Sequence, residues 1–181
     1  MKILIIKYVP IIAYCLFTIT GSLLYGQSAS MRTFTSNDWD YWEYKSDDAS
    51  GRIRTFTSND WDHWDYEIGG QSGSIRTFTS NDWDHWEAGN ISIRTFVSED
   101  WDHWEIRGNG TNVQARTFTS ENWDYWEISG DVSATIRTFT SEDWDYWEIK
   151  GDLSGLDPSV QAAILFIPVF TSSIYIQGRT D

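Results

Sequence analysis

The chain has 181 residues, a net charge of −14 and an aromatic content of 17%. This excess of acidic residues excludes nucleic acid as a natural partner, because proteins bind the phosphate backbone through clustered Lys and Arg. The twelve Trp, nine Phe and nine Tyr supply ample material for one core. A domain of this size buries about two-thirds of its unfolded surface.

Residues 1–26 have the pattern of a secretory signal peptide. Lys2 and Lys7 precede an uncharged, mostly apolar stretch that ends in small residues, and we predict cleavage after Gly26. The alternative is an uncleaved anchor, since about 18 apolar residues can span a bilayer. Cys15, the only cysteine, lies in this segment, so we expect the exported chain to fold without disulfides. Cleavage would leave a net charge of −16, no transmembrane segment and a secreted or cell-surface protein.

Residues 27–155 contain six copies of one motif, R-T-F-T-S-x-D-W-D-x-W-E. Each copy has two β-branched or aromatic runs with turn-forming residues between them, which is the pattern of a β-hairpin. We therefore predict an all-β fold of six tandem hairpins, about 22 residues each, in a solenoid-like or curled antiparallel sheet. The copies begin at Arg32, Arg54, Arg76, Arg94, Arg116 and Arg137.

The turn within each copy has no glycine, which favours a four-residue loop built on a type I turn. This loop places Arg32 opposite Glu43 and Phe34 opposite Tyr41, both favourable cross-strand pairs. The turn also resembles the Asp-box hairpin of sialidases and related propellers, S-x-D-x-G-x-T-W. Ser36 and Asp38 match that box, but Asp40 takes the place of its glycine. In that family the box is a structural turn, so the resemblance implies no activity.

Alternation of side chains along the strands predicts two unlike faces for each hairpin. The β-branched face, with Ile53, the threonines and Trp42, is the expected permanent core. The opposite, aromatic face is expected to carry Phe34, the Trp39 series and a third ring. Because soluble monomers seldom leave a large apolar patch bare, we expect this face to be covered by sheet closure, by other copies or by a ligand. The third ring is supplied by Tyr41, His63, His85, His103, Tyr125 and Tyr146.

Residues 156–181 differ from the repeats and are predicted to cap an open end of the array. Asp157 and Pro158 suit a helix N-cap and first turn. We expect an apolar helix from Val160 to Ile167 that stops at Pro168. Residues 173–177 are expected to form one more strand.

Catalysis and metal binding find little support in the motif. The carboxylates recur in equivalent settings, whereas an acid and base pair needs unlike environments to separate its pKa values. The three histidines could stack into a metal site, but tyrosine fills their position in the other copies. Asp38 and Asp40 could hold calcium, but Asn122 replaces the first aspartate in the fifth copy. We therefore predict a non-enzymatic protein with no cofactor and no metal site.

The leading hypothesis is binding of an extracellular polysaccharide or matrix through a repeated tryptophan and aspartate surface. Tryptophan rings stack on sugar faces, nearby carboxylates accept hydroxyl hydrogen bonds, and repetition raises the effective concentration. The predicted ligand-binding residues are Trp39, Trp61, Trp83, Trp101, Trp123 and Trp144, with Asp40, Asp62, Asp84, Asp102, Asp124 and Asp145.

Three alternatives to ligand binding stay open from the sequence. Tandem strand-turn-strand units are similar to curlin repeats, which suggests self-association in a structural or adhesive surface protein. The repeated Thr-x-Thr, as in Thr33 and Thr35, resembles the threonine arrays of some β-helical antifreeze proteins, although Val97 interrupts the row. The near-identity of the copies also fits recent duplication with little selected function beyond folding.

Overall fold

The computed structural model describes residues 28–36, 38–141 and 143–176, with side chains up to Ile174, and forms twelve strands and one helix. The predicted signal or anchor, residues 1–26, lies outside the described residues. The elements are β1 (Ser28–Thr33), β2 (Tyr41–Lys45), β3 (Ser50–Thr55), β4 (His63–Ile68), β5 (Gln71–Thr77), β6 (His85–Ala88), β7 (Ile91–Thr95), β8 (His103–Gly108), β9 (Thr111–Thr117), β10 (Tyr125–Gly130), β11 (Ala134–Thr138), β12 (Tyr146–Gly151) and α1 (Pro158–Ile176).

The twelve strands form a closed antiparallel barrel in which each strand pairs with its neighbours in sequence and β1 pairs with β12. The all-β class and the six tandem hairpins are confirmed. The solenoid-like alternative is wrong. The second strand of each repeat pairs with the first strand of the next repeat, and β12 pairs with β1 in the same way, so the sheet closes. Closure leaves no free sheet edge.

The predicted register within the hairpin is confirmed. Arg32 lies opposite Glu43, Thr33 lies opposite Trp42, and the amide of Phe34 donates to the carbonyl of Tyr41 at 3.0 Å. The Arg32 guanidinium reaches the Glu43 carboxylate at 3.1 Å. These exposed ion pairs contribute roughly 0–1 kcal/mol each, so they favour the register more than they stabilise the barrel.

The β-branched face points into the barrel, as predicted. Ile53 is 1% exposed, and every tryptophan in the second strand of a repeat is 0% exposed. We call these six the inner tryptophans. They are Trp42, Trp64, Trp86, Trp104, Trp126 and Trp147.

Helix α1 fills the inside of the barrel instead of capping an open end. The Asp157 carboxylate caps its first turn by accepting from the Ser159 amide at 2.9 Å. The side chains of residues 160–174 are buried around the whole circumference of the helix. Phe166 and Phe170 pack edge-on against the inner tryptophan Trp86, with ring centroids 4.9 and 4.6 Å away.

Two predictions about this segment are wrong. The helix does not stop at Pro168, and Ser173–Ile176 is helix rather than strand. An internal proline costs a helix about 3 kcal/mol or more, but ending it there would leave Phe170 and Ile174, both 0% exposed, without their places in the core. Among the described residues, no helix combines the length and apolar character needed to cross a membrane.

Candidate functional site

The connections inside the six repeats all lie at one end of the barrel, which we call the turn end. In the second copy the Asp60 amide donates to the Thr57 carbonyl at 2.8 Å, and Asn59 between them has a φ of 63°. A left-handed residue at the third position of a four-residue turn is typical of a type II turn. A second turn follows it, in which the His63 amide donates to the Asp60 carbonyl at 3.5 Å. The equivalent residues Asn81, Glu99 and Glu121 have φ values of 60 to 64°.

The tryptophan that follows this turn does not share a face with Phe34, so that prediction is wrong. Strand alternation ends at Thr33 and resumes at Tyr41, and Trp39 between them is free to fold over the barrel end. Its ring centroid lies 6.0 Å from that of the inner tryptophan Trp42. The equivalent Trp61 and Trp123 are only 7% and 9% exposed. We call the six the tryptophan ring, namely Trp39, Trp61, Trp83, Trp101, Trp123 and Trp144.

A hydrogen bond between the two tryptophans of each repeat explains the W-x-x-W spacing. The indole Nε1 of Trp42 donates to the backbone carbonyl of Trp39 at 3.1 Å, and that of Trp104 donates to Trp101 at 2.7 Å. The same bond forms in the other four copies at 2.8 to 3.1 Å. A buried indole N–H therefore has a fixed partner, and the turn is tied to the wall beneath it.

The predicted ligand-binding aspartates join neighbouring repeats. Asp102 accepts from Thr117 Oγ1 at 2.9 Å and from Ser120 Oγ at 2.6 Å in the next copy. It also accepts from the Glu121 amide at 3.0 Å. Because a carboxylate has a limited number of acceptor sites, much of its capacity is already used inside the protein. We call the six the aspartate ring, namely Asp40, Asp62, Asp84, Asp102, Asp124 and Asp145.

The aspartate ring also closes the barrel. Asp145 of the last copy accepts from Thr33 Oγ1 at 2.8 Å and from Ser36 Oγ at 2.6 Å in the first copy. The contact between the sixth and first repeats therefore repeats the contact between internal neighbours. The Thr, Ser and second Asp of the motif serve this joint, so their recurrence follows from the architecture.

One aromatic position in the motif remains on the surface. The six phenylalanines lie just beyond the ends of the first strands and are 57 to 67% exposed. They form a belt around the outside of the barrel near the turn end, one per repeat, which we call the phenylalanine girdle. Strand alternation places Phe34 opposite the core face, so its outward position can be predicted from the sequence, whereas the predicted ligand-binding residues are the tryptophans and aspartates. The girdle is Phe34, Phe56, Phe78, Phe96, Phe118 and Phe139.

Each girdle phenylalanine contacts the ring across its own hairpin, in one of two geometries. Phe56 stacks on His63 with centroids 4.3 Å apart and planes 14° apart, and the other two Phe–His pairs stack likewise. Phe34 instead meets Tyr41 edge-on, at 5.0 Å and 69°, as the other two Phe–Tyr pairs do. The girdle thus has a histidine sector in repeats 2 to 4 and a tyrosine sector in repeats 6, 1 and 5.

A shallow groove runs along the outer wall beside the tyrosine sector. Its volume is about 470 Å³, and its lining includes Tyr41, Arg32, Glu43, Arg52 and Glu67. The Arg52 guanidinium pairs with the Glu67 carboxylate at 2.7 Å. Aromatic rings therefore lie next to paired donors and acceptors that remain open to solvent.

His63 and His85 make the stability of the barrel depend on pH. Burial, followed by the nearby charge of Arg76, lowers the pKa of His63 below its ordinary value of 6.5, although Asp65 and Asp60 oppose the shift. Burial and Arg94 likewise lower the pKa of His85. Well above pH 6.5, folded and unfolded chains are both neutral at these positions. On acidification the unfolded chain binds protons first, so stability falls as the pH drops below 6.5.

We predict that replacing His63→Tyr and His85→Tyr together removes part of this acid sensitivity, since tyrosine already fills the position in three repeats. Urea unfolding followed between pH 7.5 and 4.5 would measure it. The midpoint of the wild-type chain should fall more steeply than that of the double variant between pH 6.5 and 5. Parallel curves for the two chains would contradict the prediction.

Within the ranges 28–36, 38–141 and 143–176, no three or more His, Cys, Asp or Glu side chains are grouped so that they could hold a metal ion. Searches of family models, curated proteins and solved structures find no match to this chain.

Proposed function

We propose that this chain is a non-enzymatic, multivalent binding protein whose phenylalanine girdle contacts an uncharged extracellular polysaccharide. The observation that supports this is that six phenylalanines, identical in every repeat, are 57 to 67% exposed around one barrel. Packing accounts for the other recurring aromatic residues. It does not require the outer faces of these six rings to be bare.

The chemistry around the girdle suits a sugar polymer. Aromatic rings stack on the apolar faces of sugars, and the groove beside Tyr41 adds Arg32, Glu43 and Arg52 as hydrogen-bonding groups. These arginines are paired with glutamates, and the whole chain carries a charge of −14. An acidic polymer would be repelled at long range, so the proposal favours an uncharged one.

Repetition would make weak contacts effective. A single exposed ring binds a sugar weakly, but six equivalent rings on one belt can engage successive parts of a polymer. Linked sites of this kind can raise the apparent affinity by about 10²- to 10⁴-fold without a new type of contact. A multivalent surface is therefore consistent with six copies of one motif.

The predicted tryptophan and aspartate contacts stay predictions. Trp61 and Trp123 are largely buried, and the aspartates hold neighbouring turns together, so the girdle carries the proposal better. The ice-binding alternative loses support for a related reason. The first threonine of each Thr-x-Thr pair turns toward the barrel interior, as Thr33 and Thr55 show at 7% and 6% exposure.

We expect the triple variant Phe34→Ala, Phe118→Ala and Phe139→Ala to lose at least tenfold in retention on insoluble polysaccharides, because avidity multiplies the loss of single contacts. Each substitution removes one exposed cross-strand ring contact, worth about 0.2–1 kcal/mol, so the barrel should stay folded. Pulldown on a panel of insoluble polysaccharides, with a glycan array, would measure it.

A matched control replaces Thr35→Ala, Thr119→Ala and Thr140→Ala, the exposed neighbours of the same phenylalanines. This chain should bind like the wild type. Failure of the wild type to bind any polysaccharide would refute the proposal. Normal binding by the phenylalanine variant, with loss in a Trp144→Phe chain, would return the site to the tryptophan ring.

A further inference from the structure

The first hairpin of the barrel is held by the same contacts that join every other pair of repeats. At the closing joint, Ser36 Oγ donates to Asp145 at 2.6 Å, and at an internal joint Ser80 Oγ donates to Asp62 at 2.6 Å. The strand pairing is also equivalent: β1 pairs antiparallel with β12, as β11 pairs with β10. Strand β1 of one copy of the protein can therefore make with β12 of a second copy the same pairing that it makes within its own chain.

The interior helix secures the other side of the barrel. It packs chiefly against the wall formed by β4 to β9, and Phe166 lies against Trp64 and Trp86 of that wall. The hairpin β1–β2 lies outside it. The helix thus fixes repeats 2 to 5 more firmly than repeat 1.

The loop that follows the first hairpin is the longest between repeats. Four residues, 46–49, separate β2 from β3, whereas two or three residues separate the repeats elsewhere. The loop is closed on itself by hydrogen bonds between Ser46 and Ala49, at 2.8 Å between the Ser46 amide and the Ala49 carbonyl. Opening this loop would extend the chain without disturbing a strand.

We propose that the hairpin β1–β2 exchanges between copies: it leaves its own barrel through the 46–49 loop and fills the equivalent place in a second copy. The recipient edges are β12 and β3. Because the same joints form in both arrangements, the free energy of each completed barrel is nearly unchanged and protein concentration decides between them. Reciprocal exchange gives a dimer, and sequential exchange gives a head-to-tail chain of barrels. The proposal is independent of the polysaccharide site.

A disulfide across the closing joint tests the exchange directly. Ser30 and Glu148 are directly opposed and, since Thr33 and Asp145 form a hydrogen-bonded pair in the same ladder, they form a non-hydrogen-bonded pair. Such pairs bring Cα atoms to about 4.5 Å, within the range of a disulfide. The test chain carries Ser30→Cys and Glu148→Cys with Cys15→Ser.

The matched control carries Glu127→Cys and Thr135→Cys with Cys15→Ser. Glu127 and Thr135 are the equivalent pair at the internal joint between β10 and β11, which exchange of the first hairpin leaves within one chain. Both chains are exported, unfolded under reducing conditions, refolded at a series of concentrations and then oxidised.

On non-reducing gels the Ser30 and Glu148 pair should give covalent dimers and larger species whose share rises with refolding concentration, while the control pair stays monomeric. Light scattering on the unsubstituted chain should show multimers under the same conditions. Monomers alone at every concentration, or equal multimers from both cysteine pairs, would overturn the proposal.

Discussion

A chain that ends at Leu156, and so lacks helix α1, is expected to lose the cooperative unfolding transition of the barrel. The helix places Ile164, Phe166, Phe170 and other apolar side chains at 0% exposure. Each buried side chain of this kind contributes about 1.5–3 kcal/mol, and a typical domain has only about 5–15 kcal/mol of net stability. The burial free energy lost with the helix therefore exceeds the net stability of the domain, and the twelve strands should not remain folded around an empty interior.

Near-ultraviolet circular dichroism and urea unfolding would measure this effect, together with binding of a hydrophobic dye. The shortened chain should show no fixed aromatic signal and should bind the dye. Pro168→Ala, which keeps the helix and returns one backbone N–H to it, should retain the transition. A shortened chain that unfolds cooperatively like the full one would show that the strands alone make a stable barrel.

Replacing Trp86→Ala is expected to cost about 3–5 kcal/mol, as for other large aromatic residues removed from a core. Trp86 is 0% exposed, its Nε1 donates to the Trp83 carbonyl at 2.8 Å, and its ring contacts both Phe166 and Phe170. The substitution leaves a cavity at the centre of the protein and an unpaired carbonyl at the turn.

Urea unfolding would measure the change, with Phe78→Ala as the matched control. Phe78 lies just beyond the first strand of the same repeat but is 64% exposed, and it contacts only His85 across the hairpin among the rings, so its loss should cost no more than about 1 kcal/mol. Equal effects at the two positions would contradict the division into an inner wall and an outer girdle.

The hairpins and their inner face could be predicted from the sequence because they depend on local rules. Alternation along a strand decides which side Ile53 and Trp42 face, and pairing of Arg32 with Glu43 favours one register. Neither inference depends on where the repeat lies in the molecule. The same rules failed at Trp39 because side chains in a turn do not alternate between two faces. The direction of the Trp39 side chain depends on a cavity that exists only after the barrel has closed.

Closure and the course of the helix could not be predicted, since both depend on distant parts of the chain. Whether β1 meets β12 is set by strand number, tilt and stagger around the whole sheet. A proline usually ends a helix in water. Inside this barrel, the free energy gained by burying Phe170, which follows Pro168, outweighs the cost of the proline. The girdle lies on the predicted outer face together with the Tyr and His rings that it contacts, yet only the inward position of the tryptophans shows that the phenylalanines are the large exposed rings there.

The single interior helix has a consequence for how such a gene can change. Near-identical tandem units invite unequal recombination, which adds or removes whole copies. The diameter of a barrel grows with its number of strands, whereas an α-helix keeps a diameter of about 10–12 Å. A barrel of seven repeats would be wider and would leave a gap around Phe166 and Phe170. A barrel of five repeats would be narrower and would have no room for these two side chains. Because the diameter of the helix fits a barrel of one size, the helix restricts the stable fold to six repeats.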